Sequence, residues 1–201
     1  MDKPRAIFLD RDGVINVNRV ENVRSWEQFV FEQGSLEALG RLGATDFRLL
    51  VVTNQSGIAR GHMTQATVDE IHARMTAELA HAGARIERVY FCPHSKESDC
   101  ACRKPAPGMI YQGRDEFGLD LAGSYFIGDW IDDVRAARAA GVIPLLVRTG
   151  RGEAAVAEMR ASGIVLPEIL DNLSAAVNWI LEREYAPAAE LATTGAPTGN
   201  S

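Results

Sequence analysis

AIFLDRDGV, residues 6–14, sets four apolar residues directly against two carboxylates and a glycine. The run Ala6-Ile7-Phe8-Leu9 shows no polar alternation, which suits a strand buried on both faces of a parallel sheet. Four further runs repeat the pattern: Phe47 to Val52 ending at Thr53, Ile86 to Phe91 running into Cys92, Ser124 to Ile127 ending at Gly128-Asp129, and Val142 to Val147. Helical patterns lie between them. From Thr64 to Ala82, Thr64 can cap the start, Val68, Ile71, Met75 and Leu79 form one stripe, and Gly83 can close the end. Asp132 to Ala140, stopped by Gly141, is a second helix, and Glu153 to Ala161 and Ser174 to Glu184 are two more. Strands alternating with helices predict an α/β fold, a three-layer, Rossmann-like parallel sheet with helices on both faces.

The totals agree with that reading. The chain has 201 residues, 46% hydrophobic and 24% charged, which rules out a wholly disordered chain. At one domain per roughly 150 residues the length favours a single domain, expected over 1–185 because no composition break divides it. The stretch 186–201, rich in Ala, Thr, Gly and Pro, is expected to be a disordered tail. Twenty-one basic against twenty-seven acidic side chains give a net charge of −6. That disfavours nucleic acid as a partner and leaves room for a local basic pocket that takes a small anion. No apolar run approaches the ~18 residues that span a bilayer, so no membrane partner is expected. Met1 to Arg5 runs straight into the first strand without a signal-peptide apolar region, so the expected location is the cytoplasm. Three cysteines, all between 92 and 102, suit a thiolate metal cluster in a reducing compartment better than a disulfide framework.

Ligands in open α/β sheets bind beyond the carboxyl ends of the strands, so the polar residues there carry the chemistry. Asp10 and Asp12 could share one hard cation; an acidic turn capping the strand would look the same. Thr53-Asn54-Gln55-Ser56-Gly57 offers a hydroxyl, amides and backbone N–H groups, either as an anion cradle or as a plain polar turn. Arg103-Lys104-Pro105 precedes a helix starting at Pro107; Lys104 is a point charge suited to a phosphoryl oxygen, or else part of a solvated basic loop. Asp129 could complete a magnesium site, with Asp133 four residues on, or cap the next helix. Cys92-Pro93-His94, five residues, then Cys100-Ala101-Cys102 supply three thiolates and an imidazole, the ligand set of a closed tetrahedral zinc site. A free-thiol loop is the alternative. His62, His72 and His81 look like ordinary loop and helix residues.

The order Asp-x-Asp, Thr, Lys, Asp, each at a strand end, resembles the haloacid dehalogenase (HAD) superfamily. FLDRDGVIN, TNQSGIARG, CPH…CACRKPAPGM, FIGD and LLVRTGRG resemble the D-glycero-D-manno-heptose-1,7-bisphosphate phosphatase family, which is itself similar to the histidinol-phosphatase domain. The resemblance runs from residue 5 to about 184. It implies a HAD-like fold with a zinc-binding loop at 92–102, and no segment is long enough for a separate cap domain. It implies that Asp10 is the nucleophile that forms an aspartyl-phosphate, and Asp12 the general acid and base. Thr53 and Asn54, with Gln55 and Ser56, would hold the phosphoryl group; Lys104 would neutralise it and Arg103 would touch substrate. Magnesium would be held by Asp10, the main-chain carbonyl of Asp12 and Asp129, with Asp133 in support. Structural zinc on Cys92, His94, Cys100 and Cys102 would pin the loop bearing Arg103 and Lys104. The implied activity is a phosphoric monoester hydrolase converting heptose 1,7-bisphosphate to heptose 1-phosphate, on a route to lipopolysaccharide or nucleotide-heptose precursors. Histidinol phosphate or another small metabolite is the alternative substrate, and a zinc-knuckle binding module is the non-catalytic one. A monomer acting on a small phosphorylated substrate is expected. Two places depart from the family pattern. Asn18-Arg19-Val20-Glu21 stands where a His-Gly-Tyr-like segment is usual, and Trp130 stands where a basic residue often follows Gly-Asp. Both bear on the substrate.

Overall fold

Six parallel strands lie in the order β3-β2-β1-β4-β5-β6. The structure is a computed structural model and describes residues 3–185; the expected tail at 186–201 lies outside them. In chain order the elements are β1 (Ala6–Leu9), α1 (Ser35–Leu42), β2 (Arg48–Asn54), α2 (Gln65–His81), β3 (Ile86–Cys92), α3 (Gly108–Phe117), β4 (Tyr125–Gly128), α4 (Ile131–Ala140), β5 (Ile143–Val147), α5 (Gly152–Ala161), β6 (Glu168–Leu170) and α6 (Leu173–Tyr185). All five strands expected from the apolar runs are present, as are the four expected helices and the one expected to start at Pro107.

The pleat sorts the strand residues between two layers, because successive side chains point to opposite faces. Ile7, Leu9, Leu49, Val51 and Ile127 face α1, α2 and α6. Ala6, Phe8, Leu50, Val52 and Phe126 face α3 and α4, and Leu146 packs with α4 and α5. This is why the central runs are apolar without alternation. β3 departs from the expectation of burial on both faces. It is an edge strand, with Glu87 and Arg88 among its residues and only Tyr90 and Cys92 buried.

α2 forms where its cap and stripe require. Thr64 accepts a hydrogen bond from the Thr67 N–H at 3.1 Å, Val68, Ile71, Met75 and Leu79 are buried, and Gly83 takes the left-handed conformation that ends the helix. α1 and β6 have no such signals. α1 is eight residues with Gly40 inside it and no side-chain cap, and β6 is three residues at the sheet edge.

The strand order reverses between β1 and β4, which sit side by side at the centre while their connections leave in opposite directions. That arrangement opens a crevice beyond their carboxyl ends. Asp10 follows β1 there and Asp129 follows β4.

Candidate active site

Asp10, Asp129 and Asp133 are buried, and each offers a carboxylate oxygen within 4.8 Å of the others. One cation balances them directly. Lys104 Nζ lies 2.9 Å from Asp10 and 2.7 Å from Asp133, and donates to the Val52 carbonyl at 2.8 Å. Three buried acids against one ammonium leave an excess of negative charge, which is costly in a low-dielectric interior. Burial, with Asp133 and Asp12 adding to it against Lys104, pushes the Asp10 carboxyl up to about 6. Burial, then Asp10 and Asp133, pushes Asp129 up to about 8. A hard divalent cation bound by few carboxylates fits this charge and donor set.

The loops around Asp129 are built to close on it. Gly13 and Gly150 both have positive φ, and a Cβ at either would overlap the Asp129 Oδ2. The Arg151 N–H donates to that same oxygen at 2.8 Å. Asp133 is fixed from both sides, since Oδ1 meets Lys104 and Oδ2 accepts the Trp130 N–H at 3.0 Å, capping α4.

The Asp12 carboxylate points elsewhere. Arg11, fully buried, grips it with one nitrogen at 3.0 and 2.9 Å, Asn16 Nδ2 donates at 2.9 Å, and Gln55 Nε2 donates at 3.0 Å. Burial pushes the Asp12 carboxyl up, but the Arg11 charge and these donors outweigh it and hold it below the usual range. The other Arg11 terminal nitrogen meets His72 Nε2 at 3.2 Å. Burial and the Arg11 charge push the His72 ring down to about 3, so it is neutral and accepts from the guanidinium. Arg11 and His72 were invisible as functional residues in the sequence. Arg11 looks like a spacer between two acids, and His72 sits on the buried stripe of α2.

That neutral ring carries a measurable signature. A folded-state value near 3 against 6.5 unfolded means that only the unfolded ring takes up a proton as the pH falls below 6.5. Stability is therefore complete above that pH and is lost towards acid, by about 2 kcal/mol at pH 5. His72→Gln keeps an acceptor for Arg11 and does not titrate. Its urea-unfolding free energy is expected to fall by about 2 kcal/mol less than that of the wild type between pH 7 and pH 5. An equal fall in both proteins would show that the ring is not held neutral.

A cleft of about 410 Å³ opens over these groups and is lined by Asp10, Asp12, Thr53, Ser56, Lys104 and Asp129. Asn54 and Arg103 also reach it. The Asn54 side chain has a second engagement, accepting the Lys104 N–H and donating to the Lys104 carbonyl, both at 3.1 Å. This amide clamp ties the end of β2 to the loop before α3 and so sets Lys104. Gln55, expected at the anion cradle, is buried behind the cleft wall, where its amide bridges Thr53 Oγ1 and Asp12.

The Cys/His cluster stands apart from this floor. Cys92, His94, Cys100 and Cys102 bring their ligand atoms within 4.8 Å of one another. Cys102 Sγ lies 3.2 Å from Cys92 Sγ and 3.2 Å from His94 Nδ1. Three sulfurs and one imidazole nitrogen converging on a point fit a tetrahedral soft-metal site. Arg103 follows at once and donates to the His94 carbonyl at 3.1 Å, so the knuckle and the Arg103-Lys104 segment are mechanically one piece.

Comparison with known proteins gives this geometry its context. A family profile described as HAD-hydrolase-like matches residues 101–176. The D-glycero-β-D-manno-heptose-1,7-bisphosphate 7-phosphatase of Pseudomonas aeruginosa is 39% identical over 179 residues, covering 88% of this chain and 97% of its own. The enzyme of the same name from Neisseria meningitidis serogroup A is 36% identical over 189 residues, covering 92% and 100%. The crystal structure of D,D-heptose 1,7-bisphosphate phosphatase from Bordetella bronchiseptica, complexed with magnesium and phosphate, superposes with a TM-score of 0.84 at 37% identity, covering 89% of this chain and 99% of that one. Sheet order, strand-end acids and near-complete coverage of these relatives lead to one conclusion: the chain belongs to the D-glycero-β-D-manno-heptose-1,7-bisphosphate 7-phosphatase family of HAD-like phosphatases.

Proposed function

We propose that the protein is a magnesium-dependent phosphatase that removes the 7-phosphate of D-glycero-D-manno-heptose 1,7-bisphosphate through an aspartyl-phosphate on Asp10. One observation carries the chemistry: a buried carboxylate at the end of β1, 2.9 Å from a buried lysine, faces a cleft beside two further buried acids. Asp10, the Asp12 carbonyl and Asp129 would hold the magnesium ion, which when bound offsets the charge of the phosphate and of the acids. An Asp10 oxygen attacks phosphorus and the P–O bond to the sugar breaks. Asp12 gives its proton to the departing alkoxide, then takes one from the water that cleaves the acyl phosphate. Approach of the phosphate dianion raises the proton affinity of Asp12, since a like charge disfavours its ionised form. Arg11, Asn16 and Gln55 keep the carboxylate placed for both transfers. Thr53, Ser56 and Lys104 position the phosphoryl oxygens, with Asn54 and Gln55 holding Lys104 and Thr53 from behind and Arg103 meeting substrate.

Residues 1–185 act in this reading as one phosphatase domain, monomeric and cytoplasmic, where the reducing environment suits a thiolate site. Among the described residues no helix is long and apolar enough to cross a membrane. Phosphate release with magnesium tests the substrate. A heptose 1,7-bisphosphate anomer is expected to exceed histidinol phosphate and hexose phosphates in kcat/KM by roughly 100-fold, about 2.7 kcal/mol of discrimination. Equal rates on these substrates would end the heptose reading.

The Cys/His knuckle is proposed to hold structural zinc. Cys102→Ser is expected to lose the bound zinc measured by atomic absorption. It should also lower kcat/KM on the order of 10-fold at saturating magnesium, through loosening of Arg103 and Lys104. Full activity in a zinc-free variant would separate the knuckle from catalysis.

A further inference from the structure

The rim of the cleft carries more positive charge than its floor requires. Arg19, Arg60, Lys96, Arg103 and Arg151 all line it, and among the described residues none of them pairs with a carboxylate. Asp132 is the one acid lining this rim, since Asp10, Asp12, Asp129 and Asp133 belong to the floor. Three of these arginines already use a side-chain donor inside the protein: Arg19 on the Gln28 carbonyl, Arg60 on Asn22 and Arg103 on the His94 carbonyl.

Arg151 is different. Its guanidinium donates to no group among the described residues, yet it is held in place, with its carbon 3.4 Å from the centre of the Trp130 ring. Trp130 in turn packs on the cluster formed by Ile131, Val134 and Leu146. Both residues are anchored through their backbones to the acidic floor, Arg151 to Asp129 at 2.8 Å and Trp130 to Asp133 at 3.0 Å. A guanidinium lying face-on to an indole keeps its N–H groups free at the edges. The contact with the ring restricts the exposed side chain before any ligand arrives, so less side-chain freedom remains to be lost on binding. The guanidinium lines the same cleft as Asp10, Asp129 and Lys104. Planar forks of this kind match phosphate oxygens in pairs.

We propose that Arg151, seated on Trp130, receives the second anionic group of the substrate, the phosphate that is not cleaved, and that the pair selects bisphosphates over monophosphates. The inference rests on the sugar-bisphosphate reading above and adds to it the residue that recognises the distal charge. The backbone N–H of Arg151 serves Asp129 whatever the side chain, so side-chain replacement addresses recognition and leaves that hydrogen bond in place.

The test measures kcat/KM for heptose 1,7-bisphosphate and for heptose 7-phosphate, with saturating magnesium, in the wild type, Arg151→Ala, Trp130→Ala and Trp130→Phe. The wild type prefers the bisphosphate. In Arg151→Ala that preference falls about 10-fold, mainly through KM for the bisphosphate. Trp130→Ala moves it in the same direction by less, and Trp130→Phe, which keeps an aromatic seat, restores it. Equal losses on both substrates, or no change in the ratio, would overturn the role of Arg151 while leaving the bisphosphate reading intact. A wild type without preference for the bisphosphate would overturn both, and so marks the failure of the underlying reading.

Discussion

Asp10→Asn is expected to lower magnesium-dependent phosphate release by at least ~10³-fold, because in the proposed mechanism an amide offers phosphorus no usable nucleophile and the aspartyl-phosphate cannot form. The fold is expected to survive for an electrostatic reason. Asp10 is one of three clustered buried acids, and it shares Lys104 with Asp133. Its carboxyl is pushed up to about 6 because burial outweighs the attraction of that lysine. Replacing it with a neutral group of the same shape removes one excess charge, and Lys104 keeps Asp133 at 2.7 Å. In the absence of divalent metal the variant is therefore expected to melt no lower than the wild type. The rise in Tm on adding magnesium should shrink, since a cation that binds only the folded state stabilises in proportion to its affinity. Activity assays with thermal melts, each with and without magnesium, separate the two effects. More than a few per cent of residual turnover would remove Asp10 from the nucleophile's role, and a large drop in metal-free Tm would contradict the charge argument.

The features legible in the sequence were those encoded locally. An apolar run ending in a polar residue marks a central strand and its carboxyl end, so β1, β2 and β4, with Asp10, Thr53 and Asp129, could be located without coordinates. α2 announced itself through Thr64, its stripe and Gly83. α1 and β6 did not, because a short capless helix and a three-residue edge strand are held by packing rather than by propensity. The site divides in the same way. Residue types at strand ends were readable, but their partners arrive from elsewhere in the chain. His72 reaches Arg11 across 61 positions, and Asn54 clamps Lys104 across 50. The approach of Gly13 and Gly150 to one carboxylate oxygen of Asp129 appears only once β1, β4 and β5 are aligned. Trp130 was visible as a departure from the family pattern. That a guanidinium from the next strand's loop covers it was not, since no local signal pairs residues 130 and 151.

Lys104→Met should be damaging in two separable ways. The first is chemical. Loss of one buried donor aimed at developing charge costs on the order of 10²–10³ in kcat/KM. The second is structural. Burial pulls the Lys104 ammonium down, but Asp10 and Asp133 more than reverse this and raise it above its ordinary value, so its charge is integral to the folded state. Removing it leaves two buried carboxylates without their cation, a loss of about 3–5 kcal/mol. The sign of the pH dependence follows. Without the lysine, Asp10, already pushed up by burial, ionises still less readily in the folded protein. The variant is then closest to wild-type stability at low pH and loses ground as the pH rises through the folded value of Asp10. Denaturant melts without metal at pH 5 and pH 8 should show the larger deficit at pH 8. Adding Asp133→Asn separates the two costs, because it removes one of the stranded charges. The double variant should recover a substantial share of the lost stability while remaining as inactive as Lys104→Met. If activity returns together with stability, Lys104 acts only by holding the acids in place. If stability returns alone, and Asp133→Asn by itself retains activity, its ammonium group serves the phosphoryl transfer itself.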